Sequence, residues 1–184
     1  MNDNEFLKLY IKLNLSPAAQ AVIERARKGP SRVVGGGGGN VPGRYPSRKM
    51  GATIQFESHK VELPGIVEYE YDREVLAYFD QPDAIKLTFA HKGREHFAGI
   101  HTCDFLVIRS TGVWYEEWKK ESDLVKLSQE VPNKYVRGAD GKWSCPPGEA
   151  YAKKLGFAYR LRSSADINWN LQANLNYLDD YLRP

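Results

Sequence analysis

The spacing of apolar side chains changes near residue 82, and this change constrains the fold more than any other feature of the sequence. From Leu63 to Tyr78, apolar or aromatic side chains recur every three or four residues, which predicts an amphipathic helix ended by Gln81-Pro82. From Ile85 onwards they alternate with polar residues, which predicts β-strands. Because a helix and strands share one stretch of chain, we expect an α/β fold.

The rest of the chain continues this mixture of helices and strands. Short turns at Lys92-Gly93 and at residues 110–112 separate the alternating segments. We therefore expect a three-stranded meander that a later strand joins in a mixed sheet flanked by helices. The predicted strands cover residues 85–89, 96–108, 112–119 and 157–162. The predicted helices after the meander cover residues 121–131, a short segment between 146 and 156, and a final segment with leucines at positions 171, 175, 178 and 182.

The N-terminal part of the chain has a different composition from the rest. We expect residues 1–28 to form two short helices, the second with Ser16 as its N-cap and Pro17 at its first position. Residues 29–51 contain a five-glycine run and several prolines, which predicts a flexible basic linker. The linker would precede a single folded domain over residues 52–184.

The segment from Arg25 to Phe56 is basic, with seven lysines and arginines and no acidic residue. Such an asymmetric charge distribution indicates a polyanionic partner. The residues of this segment that we predict to contact DNA are Arg32, Arg44, Arg48 and Lys49.

Composition also excludes several classes of protein. Two cysteines cannot supply a disulfide framework or a four-cysteine zinc site, and no apolar run approaches the length of a membrane span. The glycine run lacks the Gly-Lys-Ser/Thr ending of a phosphate-binding loop. We therefore expect a cytoplasmic protein without a membrane partner.

A group of charged residues near the predicted hairpin points to chemistry. In a strand over residues 112–119, the side chains of Glu117 and Lys119 share one face, and Asp104 on the preceding strand is near enough to join them. Two carboxylates at that separation repel unless a divalent cation lies between them, and a lysine beside them can orient or activate a water near a phosphate. The pattern indicates phosphodiester hydrolysis, and the alternative is a set of ordinary cross-strand salt bridges.

The stretches IQFESHKVELPGIVEYEYDREVLAYFDQP, HTCDFLVI and YEEWKKESDL resemble the catalytic domain of TnsA-type transposon endonucleases, within the PD-(D/E)xK nuclease superfamily. The resemblance covers residues 50–127 and implies a restriction-endonuclease-like fold. It places the family's helix glutamate on Glu62, its strand aspartate on Asp104, its ExK acid on Glu117 and its lysine on Lys119. The three acids would then hold Mg²⁺, with Mn²⁺ as an alternative, and Lys119 would assist the attacking water.

The resemblance also implies a biological role. Endonucleases of this type cut the non-transferred strand at the 5′ ends of a transposon, while a separate DDE-type transposase joins the 3′ ends. The expected partners are double-stranded DNA at the transposon ends, a DDE-type transposase in cis or in trans, and an AAA+ regulator, all at the bacterial nucleoid. The tail YRLRSSADINWNLQANLNYLDDYL is similar to the N-terminal region of TnsA-TnsB-like fused transposases, so the chain is expected to be a domain of one.

Several alternatives stay open at the level of the sequence. Glu57 rivals Glu62 as the helix ligand, because Pro64 requires that the helix either starts near Glu62 or is distorted there. His59 and His101 are interpreted as hydrogen-bonded neighbours of the site rather than ligands. Two other functions compete with the nuclease described above: a catalytically silent DNA-binding or assembly module of a transposase complex, and a nuclease unrelated to transposons, such as a defence enzyme.

Overall fold

A computed structural model of the protein describes residues 1–35, 41–91 and 94–182, so the predicted turn at residues 92–93 and most of the glycine run lie outside it. Within the described residues the protein has a mixed α/β structure. Its helices are α1 (Asp3–Lys12), α2 (Pro17–Arg27), α3 (Glu62–Tyr71), α4 (Glu121–Glu130), α5 (Pro146–Lys154) and α6 (Trp169–Leu182). Its strands are β1 (Gly43–Ser47), β2 (Ala52–Phe56), β3 (Val75–Asp80), β4 (Ile85–His91), β5 (Arg94–His101), β6 (Phe105–Arg109), β7 (Gly112–Lys119), β8 (Val136–Arg137), β9 (Trp143–Ser144) and β10 (Ala158–Ser163).

The central sheet contains four strands in the order β10-β7-β6-β3. Strands β6 and β7 are consecutive and antiparallel, and β3 lies antiparallel to β6 at one edge. Strand β10 lies parallel to β7 at the other edge, so the chain between them, which includes α4 and α5, forms the crossover that a parallel pair requires. The prediction of a mixed sheet flanked by helices is confirmed.

Both faces of this sheet are covered by other elements. In β6, Leu106 and Ile108 belong to the core that also contains apolar residues of α1, α2 and α5. Phe105 and Val107 belong to the opposite core, with residues of α3 and the β1–β2 hairpin. Strand β6 is apolar at four consecutive positions because successive side chains enter opposite cores.

The two N-terminal helices are confirmed, and they belong to the main folded unit. The Ser16 side chain caps α2 by accepting a hydrogen bond of 3.2 Å from the main-chain N–H of Ala19. Phe6 and Leu9 of α1 and Ile23 of α2 are buried in the core beneath the central sheet. The helical segment over residues 1–28 is therefore packed against the rest of the protein.

The helix predicted from Leu63 to Gln81 is wrong in its second half. Helix α3 ends at Tyr71, and the chain turns there, because the Asp72 carboxylate accepts a hydrogen bond of 2.9 Å from the main-chain N–H of Glu74. Residues 75–80 then form strand β3, which pairs with β6 over a run rich in valine, leucine and aromatic residues. The three-to-four spacing across residues 71–78 reflects two different elements that bury side chains in the same core.

The predicted three-stranded meander is also wrong, because the segment 96–108 forms two strands. Strand β5 ends at His101 and, among the described residues, pairs with β4 in a separate two-stranded sheet. Strand β6 begins at Phe105 and joins the central sheet. The break between them contains the buried Cys103, and it brings Asp104 to the edge where β6 starts.

The flexible linker predicted over residues 29–51 is wrong for residues 43–51, which form β1 and the turn into β2. The ammonium group of Lys49 donates hydrogen bonds to the main-chain carbonyls of Tyr69, Asp72 and Val75, at 2.5, 2.6 and 2.8 Å. These contacts join the turn to the end of α3. The three donors of the Lys49 ammonium are therefore occupied within the protein, which favours a structural role for this half-buried residue.

Glu70 holds the same turn from the other side and is buried. Its carboxylate accepts hydrogen bonds from the Ser47 hydroxyl at 2.6 Å and the Tyr78 hydroxyl at 2.7 Å. It also accepts from the main-chain N–H groups of Arg48 and Lys49, both at 2.8 Å. The hairpin is thus held on α3 by buried polar contacts in which every partner is satisfied.

Candidate active site

Three elements that are distant in sequence meet at one cavity of about 320 Å³. Glu62 begins helix α3, Asp104 directly precedes strand β6, and Lys119 ends strand β7. All three side chains line the cavity. The fold therefore brings together three of the four residues that the sequence predicts as catalytic.

Gly65 allows helix α3 to lie close to strand β7. A Cβ atom at this position would lie 2.6 Å from the ring of Trp118, and Cβ atoms in proteins do not approach other heavy atoms so closely. Trp118 is held in place, since its indole N–H donates a hydrogen bond of 2.7 Å to the hydroxyl of Tyr69. The separation between Glu62 on the helix and Lys119 on the strand therefore depends on a glycine at residue 65.

Glu62 is the buried carboxylate of the helix, with 5% of its surface exposed. Helix α3 begins at this residue, so Pro64 falls in the first turn, where a proline is tolerated without distortion. One oxygen of Glu62 accepts a hydrogen bond of 2.9 Å from the main-chain N–H of Glu57. The rival Glu57 also lines the cavity, but its carboxylate forms an ion pair of 2.6 Å with Arg32. The geometry favours Glu62 as the helix residue that faces Asp104.

Asp104 is held by main-chain contacts on both sides. Its carboxylate accepts a hydrogen bond of 2.7 Å from the main-chain N–H of Trp118 on β7. Its main-chain carbonyl accepts another of 2.9 Å from the N–H of Gln81, which has a left-handed φ of 45° at the end of β3. The side-chain amide of Gln81 is buried with no hydrogen-bond partner among the described residues. Asp104 is thus fixed between the two neighbouring strands of the sheet.

Glu117 is not among the described residues that line the cavity, and its side chain lies behind the cavity wall. It is buried, and the hydroxyls of Tyr159 and Tyr135 donate hydrogen bonds of 2.5 and 3.2 Å to its carboxylate. The ammonium of Lys119 lies 2.8 Å from one oxygen, and Nε2 of His101 lies 3.2 Å from the other. Glu117 therefore orients Lys119 and has its own oxygens occupied.

The pKa values of the three carboxyl groups are shifted differently because their neighbours differ. Burial and the nearby charge of Asp104 raise the pKa of Glu62 to about 8. Burial raises the pKa of Asp104 to about 6, with Glu117 adding to the shift and Lys119 opposing it. Burial also opposes the charge of Glu117, but Lys119 and His101 outweigh it and hold the pKa of that carboxyl well below its usual range.

Lys119 stays protonated in this arrangement. Burial disfavours its charge, but the carboxylates of Glu117 and Asp104 outweigh burial and raise the pKa of the ammonium above its ordinary value. A lysine in that state cannot remove a proton from water. It can stabilise negative charge that develops on a phosphate oxygen.

Two of the three predicted metal ligands, Glu62 and Asp104, fit a divalent cation, and the third, Glu117, does not. Glu62 and Asp104 offer carboxylate oxygens to one cavity, which are ligands that Mg²⁺ and Mn²⁺ accept, and the repulsion between their charges would be relieved by a cation. Glu117 does not fit as a direct ligand while its oxygens are occupied by Tyr135, Tyr159 and Lys119. Across residues 1–35, 41–91 and 94–182, no group of three or more His, Cys, Asp or Glu side chains is arranged as a metal site.

The basic residues predicted to contact DNA are dispersed. Arg32 lies beside the cavity through its ion pair with Glu57, and Arg44 is exposed on strand β1. The guanidinium of Arg48 lies 3.3 Å from the carboxylate of Asp179 on helix α6. Of this set, Arg32 is the residue that the fold places next to the candidate site.

Sequence reasoning missed the tyrosines that surround Glu117. Neither Tyr135 nor Tyr159 carries a signal of this role in the sequence, because both are distant from Glu117 along the chain and Tyr159 lies in an ordinary alternating strand. Pairing of β10 with β7 brings Tyr159 to this position. The interpretation of His101 as a hydrogen-bonded neighbour is confirmed, since its Nε2 lies 3.0 Å from the Tyr159 hydroxyl.

No protein-family model matches this chain, and a search of curated proteins found no match either. The resemblance to TnsA-type endonucleases therefore depends on the motif residues themselves. In the described part of the chain, none of the helices combines the length and the apolar character needed to cross a membrane.

Proposed function

We propose that this protein is a metal-dependent DNA endonuclease that hydrolyses a phosphodiester bond in the cavity lined by Glu62, Asp104 and Lys119. The observation that carries the proposal is the convergence of these three side chains on one open cavity, from the start of α3, from the residue before β6 and from the end of β7. Two carboxylates beside a lysine are the groups that cation-assisted phosphodiester hydrolysis requires. A restriction-endonuclease-like fold is part of the same proposal.

The roles of the residues follow from their contacts. Glu62 and Asp104 would hold the cation, which supplies charge neutralisation at the phosphate and lowers the pKa of a bound water. The main-chain N–H of Trp118 holds the Asp104 carboxylate in place. Lys119 presents a permanent positive charge that stabilises the phosphate oxygens as negative charge develops on them. Glu117 orients Lys119 through an ion pair of 2.8 Å.

We place the reaction in cut-and-paste transposition, with cleavage of the non-transferred strand at the 5′ ends of a transposon. The motif residues Glu62, Asp104, Glu117 and Lys119 support this setting through their resemblance to TnsA-type endonucleases. The partners in this proposal are double-stranded DNA, a DDE-type transposase and an AAA+ regulator.

The test is cleavage of supercoiled plasmid and of linear duplexes that carry transposon ends, with Mg²⁺ or Mn²⁺ and with the partner transposase present. Wild type should nick DNA, and Asp104→Ala should abolish nicking. Asp140→Ala is the matched control, since Asp140 is an exposed aspartate in the loop between β8 and β9. Equal nicking by wild type and Asp104→Ala would refute the proposed site.

A second candidate function is a catalytically silent DNA-binding or assembly module. The occupied oxygens of Glu117 favour it, because an intact three-carboxylate metal site is not formed among the described residues. Calorimetric titration of Mg²⁺ and Mn²⁺ into wild type and Asp104→Ala separates the two functions. Heat of binding in wild type that disappears in Asp104→Ala supports the nuclease, and no binding in either protein supports the silent module.

A further inference from the structure

A second cavity of about 610 Å³ adjoins the candidate active site. It shares Lys120 with the wall of the active-site cavity. The residues that line this second cavity are His59, Lys60, Lys120, Ser122, Ser164 and Trp169. We call this set the basic groove, and it continues the active-site cavity along the protein surface.

The basic groove has an excess of positive charge, whereas charges of both signs line the active-site cavity. The described lining of the groove contains two lysines, two serines and a histidine, but no aspartate or glutamate. The active-site cavity, in contrast, is lined by four acidic residues and three lysines: Glu57, Glu62, Asp104, Asp123, Lys119, Lys120 and Lys126. Ammonium and hydroxyl groups are the usual donors to DNA phosphates, so the groove is suited to hold a DNA backbone next to the site of hydrolysis.

An exposed tryptophan stands in the wall of this groove. Trp169 has 56% of its surface exposed, whereas Trp114, Trp118 and Trp143 are buried or half-buried. A third cavity of about 230 Å³, lined in part by Leu63 and Pro64, also contacts Trp169. The indole therefore lies between one cavity lined by Lys60 and Lys120 and another lined by Leu63 and Pro64. In this position a nucleotide can place its phosphate on the side of the lysines and its base on the other.

The position of Trp169 relative to the active site is fixed by the fold. It is the first residue of helix α6, and that helix packs against α3. The side-chain amide of Gln172 donates a buried hydrogen bond of 3.0 Å to the main-chain carbonyl of Pro64, two residues after Glu62. The helix that carries Trp169 is thus tied directly to the first turn of the helix that carries Glu62.

We infer that the basic groove binds a single-stranded segment of DNA adjacent to the cut phosphate, with one base stacked on Trp169. The inference depends on the proposed nuclease function and specifies its substrate as DNA with unpaired nucleotides beside the cut. Bases inside a duplex are stacked on each other, so an indole on the protein surface stacks most readily on a base where the strands are separated.

The experiment measures binding in EDTA, so that cleavage does not contribute. A labelled duplex with a short single-stranded overhang is compared with a blunt duplex of equal length, by fluorescence anisotropy. Wild type should prefer the overhang, and Trp169→Ala should weaken overhang binding by about 10-fold while leaving blunt-duplex binding unchanged. Trp169→Phe should retain most of the preference, because a phenyl ring still stacks.

Tyr177→Ala is the matched control, since Tyr177 is an aromatic residue of the same helix with 62% of its surface exposed, and it does not line the groove. It should keep the preference for the overhang. No preference in wild type, or equal loss in Trp169→Ala and Tyr177→Ala, would overturn the inference. A preference that depends on Trp169 in a protein that never cleaves DNA would support the groove and refute the nuclease.

Discussion

The phenolic hydroxyl of Tyr159 donates a hydrogen bond of 2.5 Å to the carboxylate of Glu117, across the parallel pair of strands β10 and β7. Glu117 is the acid of the Glu-x-Lys motif, and this contact helps to hold it behind the cavity wall. The strand at the edge of the sheet therefore decides which carboxylates face the cavity. Glu62 and Asp104 face it, and Glu117 supports Lys119.

Tyr159→Phe should destabilise the protein by about 1–3 kcal/mol, because it removes a donor from a buried carboxylate. Thermal unfolding without added metal measures this loss. Tyr151→Phe is the matched control, since Tyr151 is a half-buried tyrosine whose ring contacts Tyr115, while the tyrosine donors to Glu117 among the described residues are Tyr135 and Tyr159. An unchanged melting temperature for Tyr159→Phe would show that the contact does not stabilise Glu117.

Lys119→Ala should reduce strand cleavage by about 100-fold or more and leave DNA affinity within a few-fold of wild type. The charge of Lys119 acts on the phosphate as the transition state forms, more than on the bound ground state. Single-turnover cleavage and anisotropy measure the two effects separately. Lys153→Ala, a change at an exposed lysine of α5, should alter neither. Parallel losses of cleavage and affinity would instead assign Lys119 to DNA binding.

The stability of the metal-free protein should fall as the pH rises from about 5 to about 8. The folded state raises the pKa of Glu62 from 4.5 to about 8, so it binds that proton more tightly than the unfolded state does. The stabilisation is complete below the unfolded pKa and is lost as the pH passes the folded pKa. The melting temperature should decline by on the order of 5 °C over this range.

Glu62→Gln should flatten this pH dependence, with a smaller slope left below pH 6 from the raised pKa of Asp104. Glu130→Gln, at an exposed glutamate, should leave the slope unchanged. Mg²⁺ at pH 8 should restore stability in wild type more than in Glu62→Gln. A wild-type melting temperature that is constant between pH 5 and pH 8 would contradict the burial of Glu62 beside Asp104.

Substitutions at Lys49 and at Arg44 should distinguish a structural role from a DNA-contacting role within the basic segment. Lys49→Met should cost about 1–3 kcal/mol of stability, because it removes hydrogen bonds to three main-chain carbonyls. Arg44→Met, at an exposed position of β1, should leave stability unchanged and make the salt dependence of DNA binding less steep. Circular dichroism melts and salt titrations measure the two effects. Equal stability losses in both variants would show that Arg44 is also structural.

The sequence alone was sufficient for features that depend on local patterns. Ser16 and Pro17 predicted the start of α2, and period-two alternation predicted strands β4, β7 and β10. The spacing of Glu117 and Lys119 placed both side chains on one face of a strand, where they form an ion pair. These predictions succeed because helix caps and strand alternation are set by residues that are neighbours in the chain.

The sequence pattern led to wrong predictions of secondary structure where residues from different elements enter the same core. Tyr71, Val75 and Tyr78 have helical spacing, but the chain turns at Asp72 and the last two belong to a strand. The glycine- and proline-rich composition of residues 29–51 gave no sign that Glu70 and Lys49 tie the β1–β2 turn to α3. Contacts of that kind depend on partners about twenty residues away, which local composition does not record.

What the sequence by itself determined is the chemical inventory of the site: the carboxylates of Glu62, Asp104 and Glu117 and the ammonium of Lys119. What only the tertiary structure decided is their arrangement. The parallel pairing of β10 brings Tyr159 to Glu117, and the packing of α3 on β7 brings Glu62 into the wall with Asp104. The physical reason is that burial and charge in a site depend on through-space neighbours, which the sheet order supplies and the linear sequence does not.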